Sequence, residues 1–318
     1  MVRLEHTPSL PRLYARSVIS ARGRHGDRLP DKTLEIADLS IDRDQLAGYA
    51  EVCSFRHSDV LPPTYPHILG FPLAVTLMVD PSFPFPLAGL VHVGNRITQQ
   101  RSLRADERIT VGVRAQNLRD HTRGRQFDMI TEATLDGQPV WTEASTYLRR
   151  EHPHPDTLPT LPSPQSGEGK TASGEGKREE GDVMAPTAIW RVPANIGRRY
   201  AAVSGDVNPI HLNPLAAKLF GFRRAIAHGM WVQARCLSAL EGRLPEAVTI
   251  TVSFKSPLLL PSTVAFSAHE ADGAWNFAVF QPKSGKPHLG GTTKGLPRPS
   301  ARPALPLEGG GKERKEGS

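Results

Sequence analysis

The chain is short of cysteine, of apolar residues and of unbroken apolar runs. Cys53 and Cys236 are its two cysteines in 318 residues, too few for a disulfide scaffold and in keeping with a reducing compartment. No apolar stretch approaches the roughly 20 residues that cross a membrane. Hydrophobic residues make up 38% and charged residues 22%, which is apolar-poor for a globular protein but not the composition of a fully disordered one. These absences exclude the secreted, membrane and collagen-like classes and point to a cytoplasmic protein. What the chain has instead is 28 Gly, 29 Pro and a formal net charge of +7. The first two announce loops or linkers. The charge raises nucleic acid, but no groove-reading motif accompanies it, and a modest cationic surplus equally suits anionic small molecules.

At about 150 residues per domain the length allows two. The composition changes sharply from Glu151 to Asp182, a stretch dense in Pro, Gly, Ser, Glu and Lys that cannot bury enough surface to fold. Pro306 to Ser318 repeats that character. We read residues 151–185 as a low-complexity linker and 298–318 as a disordered tail. His152, His154 and Asp156 resemble a metal tract but lack a framework, so no metal is assigned to them.

The remaining blocks, residues 1–150 and 186–297, look like copies of one another. Tyr49-Ala-Glu-Val lies over Tyr200-Ala-Ala-Val at an offset of 151, and Asp136-Gly-Gln-Pro lies over Ser284-Gly-Lys-Pro at 148. Each block predicts a short strand and then a helix, capped by Asp42 or Asn195. A central apolar helix comes next, over Ile68 to about Val79 or Met230 to about Leu240. Alternating strands then end in a hairpin at Gly-x-Pro. One helix wrapped by an antiparallel sheet is an α+β layer. Before Asp27 the chain carries five arginines against the single acid Glu5. It has no apolar targeting core, and Pro8 and Pro11 interrupt any amphipathic helix, so it reads as the first strand and loop of a domain.

The chemistry concentrates in Tyr200-Ala-Ala-Val-Ser-Gly-Asp-Val-Asn-Pro-Ile-His211. A carboxylate, Asp206, and an imidazole, His211, stand five residues apart among turn-forming Gly205, Asn208 and Pro209. Such a turn can aim both groups at one point, where one orients a water and the other exchanges its proton. That suits adding water to a carbon–carbon double bond or removing it. Further on, Ile226-Ala-His-Gly-Met230 opens the second central helix, whose N-terminus favours negative charge, such as an enolate oxygen.

This stretch resembles the signature of MaoC-like dehydratases, which include the R-specific enoyl-CoA hydratases of the hot-dog fold. Ser204 through His211 match at seven positions with one free, and Gly221 to Met230 resembles the next segment of the family. The resemblance implies a double hot-dog and reversible hydration of 2-enoyl thioesters, of CoA or acyl-carrier protein, in fatty-acid metabolism. It implies that Asp206 and His211 activate the water and that Gly229 N–H holds the thioester oxygen, and it implies no metal or redox cofactor. Asn208 and Ser204 would shape the loop, and Arg223, Arg224 and Lys255 are candidates for CoA phosphates. At the offset of 151, Asp206 falls on Phe55 and His211 on Val60, so the first block lacks the pair and would accommodate the acyl chain. His228 reads as structural, Cys236 as core, and Trp190, Trp231 and Trp275 as core or tunnel lining. Two such double units could pair as a homodimer. A thioesterase on the same fold and a non-catalytic acyl-thioester binder are the competing readings.

Overall fold

The computed structural model describes residues 1–19, 24, 26–150 and 185–297. The low-complexity stretches, with His152, His154 and Asp156, lie outside them. The first half comprises β1 (Val2–Arg3), α1 (Leu10–Ile19), β2 (Thr33–Leu39), α2 (Arg43–Cys53), α3 (Tyr65–Val79), β3 (Leu90–Gln99), β4 (Ile109–His121), β5 (Gly124–Leu135) and β6 (Gln138–Arg150). The second comprises β7 (Ala188–Val192), α4 (Ile196–Ser204), α5 (Pro209–Leu212), α6 (Pro214–Leu219), α7 (Gly229–Ala239), β8 (Val248–Phe254), β9 (Ser262–Ala271), β10 (Ala274–Phe280) and β11 (Pro287–Gly295).

All these strands join one sheet in the order β1-β2-β4-β5-β6-β3-β8-β11-β10-β9-β7. Each half repeats one connectivity, and the halves meet at β3 and β8, which pair antiparallel with Ile97 opposite Ile250. Strand β1 adds in parallel beside β2, while the other pairings are antiparallel. The fold is the expected α+β double hot-dog.

The alternation read in the sequence sets which strand face is buried. Ile109, Val111 and Val113 point inward from β4, and Val248, Ile250 and Val252 from β8. Helix α3 is buried on nearly every face, so its sequence is apolar all round rather than striped. It begins at Tyr65, earlier than the apolar run predicts, with Pro66 in the first turn where proline costs no hydrogen bond. Asp42 caps α2 as expected, accepting from the N–H groups of Asp44 and Gln45. Asn195 holds the same position before α4 but makes no side-chain cap.

The offset of 151 recurs in the backbone. Ser54 after α2 and Gly205 after α4 both adopt left-handed conformations, at φ 65° and 74°. Tyr49 and Tyr200 are both buried, their rings 6.1 Å apart across the halves. The Gly-x-Pro segments form the expected hairpins between β5 and β6 and between β10 and β11.

One expectation fails at the amino terminus. The strand is present as β1, but helix α1 stands in place of the expected loop. Pro11 lies in its first turn, where its missing N–H is not needed, so it starts the helix instead of breaking it.

One buried cluster spans both halves and includes Tyr49, Trp141, Cys53, Trp231, Cys236 and Ile250. Trp231 Nε1–H donates to the Val52 carbonyl at 3.0 Å, tying α7 to α2 of the other half. Trp190 stacks on Phe266 at 4.5 Å under the Arg235 guanidinium, a packing role. A second cluster lies within the first half, where Leu13 of α1 meets Phe71 and Met78 of α3 and Phe127 of β5.

Candidate active site

Helix α4 ends at Ser204, and the left-handed Gly205 turns the chain so that Asp206 leaves the helix axis. Three local bonds then shape the loop. Asp206 N–H donates to Ser204 Oγ at 3.2 Å, Asn208 N–H to Asp206 Oδ1 at 3.2 Å, and Ile210 N–H to Asn208 Oδ1 at 3.4 Å. Asn208 thus caps the short helix α5, with Pro209 behind it, and α5 delivers His211. Ser204 and Asn208 therefore have observable structural roles in the loop.

One oxygen of Asp206 and one ring nitrogen each of His211 and His228 lie within 4.8 Å of one another. Backbone carbonyls of the segment before α7 and of the Asp206 loop set the two rings. Ile226 carbonyl accepts from His211 Nδ1–H at 2.9 Å, and Asp206 carbonyl accepts from His228 Nε2–H at 3.0 Å. A carbonyl can only accept, so each bond fixes a tautomer. His211 keeps its Nε2 lone pair for proton exchange. The rings stack at 3.7 Å between centroids, so His228 forms a floor beneath His211. Three such groups could in principle ligate a metal. The two rings stack at an interplanar angle of 28°, so their in-plane lone pairs lie in nearly parallel planes, which suits proton handling better than convergent coordination.

Charge depends on burial and neighbours. Burial pushes His228 down to about 3, helped by His211, and also lowers His211 against the pull of the Asp206 carboxylate. Both rings are therefore neutral near pH 7. Burial alone would raise Asp206, but His228, His211, the Tyr14 hydroxyl and Asn208 N–H outweigh it and hold the carboxyl below its ordinary range. A quarter of its side chain remains exposed, which leaves access for a water.

Gly229 is the first residue of α7, and a helix's first N–H groups have no acceptor within the helix. A side chain there would meet the Phe254 ring at 3.0–3.1 Å, so glycine permits that ring to close the wall beside the helix end. From Phe254 a row of rings runs into the first half through His92 at 4.9 Å, Tyr147 at 4.8 Å and Phe127 at 5.6 Å.

The candidate phosphate ligands are not part of this cluster. Arg223 and Lys255 are exposed on the loops after α6 and β8, and Arg224 donates to the Pro261 carbonyl at 3.2 Å. In the first half Phe55 is buried in the core and Val60 is exposed, so that loop lacks an acid–base pair at the matching positions. Its own Asp59 pairs with Arg43.

The residue that sequence reasoning missed is Tyr14. Its hydroxyl donates to Asp206 Oδ1 at 2.9 Å from α1 of the other half. Nothing near Tyr14 in the sequence signals a contact 192 residues away.

Comparison with known proteins places the chain in a family. The MaoC like domain family matches residues 180–288, which hold the whole Asp206–Gly229 segment. The chain is 39% identical over 271 residues to 3-hydroxyacyl-thioester dehydratase X of Mycobacterium tuberculosis, covering 85% of this chain and 91% of that protein. The chain belongs to the MaoC-like dehydratase family. It is an enzyme of the hydro-lyase type. The crystal structure of HtdX from M. tuberculosis superposes with a TM-score of 0.70 at 37% identity, covering 83% of this chain and all of that one. A MaoC-like dehydratase from Phytophthora capsici, 20% identical, shares the fold with a TM-score of 0.63 over 86% of this chain and 98% of its own. A shorter relative, the (R)-specific enoyl-CoA hydratase of Aeromonas caviae, is 36% identical over 69 residues, 20% of this chain and 52% of that enzyme. No helix among the described residues is long and apolar enough to cross a membrane.

Proposed function

We propose that this MaoC-like chain reversibly hydrates 2-enoyl thioesters, of CoA or acyl-carrier protein, to (R)-3-hydroxyacyl thioesters. The observation that carries the reading is the convergence of an ionised Asp206 and a neutral His211 beside the Gly229 helix end. Asp206 accepts one hydrogen bond of a water, and His211 Nε2 accepts the other. As the water oxygen bonds to C3, its proton passes to the pair and the π electrons move through C2 onto the thioester oxygen. Gly229 N–H and the α7 N-terminus stabilise that enolate. The proton then goes to C2, completing the addition.

In this reading residues 186–297 carry the chemistry, and residues 1–150 accommodate the acyl chain along the wall of Phe254, His92 and Tyr147. Residues 151–185 join the halves, and 298–318 extend the chain. Exposed Arg223, Arg224 and Lys255 meet the phosphates of CoA at the mouth.

The test incubates the full chain with crotonyl-CoA and longer 2-enoyl-CoAs, following loss of the conjugated double bond and the chirality of the product. An (R)-3-hydroxyacyl product supports the reading. Retained acyl-CoA binding without turnover overturns it in favour of a binder, and CoA release without a hydroxyacyl product in favour of a thioesterase.

A further inference from the structure

We propose that Tyr14, delivered by helix α1 of the first half, is a positioning residue for Asp206. The half without an acid–base pair thereby supplies a group to the chemistry of the other. The inference rests on the hydratase reading and concerns how that site is held.

The geometry is specific. An ionised carboxylate can only accept, so the phenol donates the 2.9 Å bond to Oδ1. Asn208 N–H donates to the same oxygen at 3.2 Å. Two donors from two elements pin Oδ1, and Oδ2 is left as the oxygen presented to the water. His228 Nε2 stands 3.7 Å from Oδ2, beyond a hydrogen bond.

Helix α1 is built for this placement. Leu10, Leu13 and Tyr14 keep the i, i+3, i+4 spacing of one helix face. Leu13 is buried in the first-half core against α3, which anchors the helix. Leu10, one turn before Tyr14, lies so close to Gly205 that a Cβ there would overlap its Cδ1. The same helix thus touches the two consecutive residues that turn and carry the carboxylate. Burial and the Asp206 charge push the Tyr14 phenol far above its ordinary range, so it is a neutral donor and never the base.

Several other titratable groups act on Asp206 and must be held fixed in any test. His228 and His211 face it from its own half. Tyr200 on α4, His67 on α3, His92 on β3 and Tyr147 on β6 feel its charge from further away.

The experiment compares Tyr14→Phe with the unaltered full chain in two measurements, the pH profile of kcat/KM on crotonyl-CoA and the titration of the Asp206 carboxyl by 13C NMR. Loss of a hydrogen bond to a charged group is expected to move the Asp206 titration, and any acid limb it sets, upward by about one pH unit. The kcat of Tyr14→Phe is expected to fall roughly tenfold, with KM within about a factor of two, because the acyl contacts are untouched. An unchanged Asp206 titration and an unchanged kcat overturn the inference. A matched loss in KM alone overturns it too, since that is the mark of a merely structural helix. If the unaltered chain fails to hydrate any enoyl-CoA, the hydratase reading falls. The carboxyl titration alone then decides whether Tyr14 holds Asp206. Unchanged far-UV circular dichroism and melting temperature in Tyr14→Phe exclude misfolding as the cause.

Discussion

Gly197 of α4 lies directly against the His211 carbonyl, so close that a Cβ at position 197 would overlap the oxygen. The residue that carries the imidazole is thus seated on the helix that also ends in the Asp206 turn. Replacing Gly197 with Ala must push α5 away. A displacement of about 1 Å in a reacting group can cost about 100-fold in rate. The expected result for Gly197→Ala is a kcat reduced by about that factor in a chain that still folds, read by enoyl-CoA hydration beside a thermal melt.

A buried ion pair of the first half is tied to the second half through Asn95 and Gln233. His67 on α3 contacts Glu143 on β6 at 2.8 Å, Asn95 Nδ2 donates to Glu143 at 2.6 Å, and Gln233 of α7 donates to Asn95 at 2.8 Å. Removing one member of a buried pair strands the other, so Glu143→Ala is expected to cost about 3–5 kcal/mol in denaturant unfolding.

The same pair sets a pH window for stability. Burial opposes the His67 charge, but Glu143 outweighs it and raises His67 above its ordinary 6.5. Burial likewise opposes the Glu143 charge, and His67 with Asn95 brings Glu143 below its ordinary 4.5. The Glu143 contribution is full above 4.5 and fades as pH falls through its lowered folded value. The His67 contribution is full below 6.5 and fades as pH rises through its raised folded value. The stability difference between the unaltered chain and Glu143→Ala should therefore peak between about 4.5 and 6.5, measured as urea midpoints across pH.

Activity should track the site groups instead. His211 lies below its ordinary 6.5 because burial disfavours its charge, and Asp206 lies below its ordinary 3.8. The active protonation state therefore persists through neutral pH. The expected profile of kcat/KM is flat across neutrality and falls on acidification below the ordinary histidine range, as His211 takes up a proton. A rate that rises on acidification would contradict the assignment of His211 as the proton acceptor.

Gly205 combines a φ of 74° with the Leu10 contact. A left-handed residue with a side chain costs about 1–2 kcal/mol, and the overlap adds to that. Gly205→Ala should be destabilised by more than the backbone term alone. Adding Leu10→Ala should recover the overlap but leave the backbone cost, as a double-mutant cycle in denaturant would show.

These relationships differ in how far they could be read from residue order. The Asp206 and His211 turn, the Asp42 cap and the alternating strands depend on neighbours a few residues apart, and local pattern carries them. Helix α1 was hidden because proline in a first turn and proline in a helix interior look alike until the start is known. Tyr14 was hidden more deeply, since its partner is 192 residues away and a single tyrosine in an arginine-rich segment has no motif. The His67, Glu143, Asn95 and Gln233 network is of the same kind. Its members stand on four elements from both halves, and only the β3–β8 pairing and the helices packed on it bring them together.

In the proposed reaction Asp206 and His211 act as one unit on a water. Initial rates of crotonyl-CoA hydration by Asp206→Asn, His211→Ala and the double variant test it most directly. Each single change is expected to lower kcat by at least about 1,000-fold, with the double change scarcely worse, because residues acting as a unit are not additive. A single variant within about tenfold of the unaltered chain, or two losses that simply multiply, would contradict it.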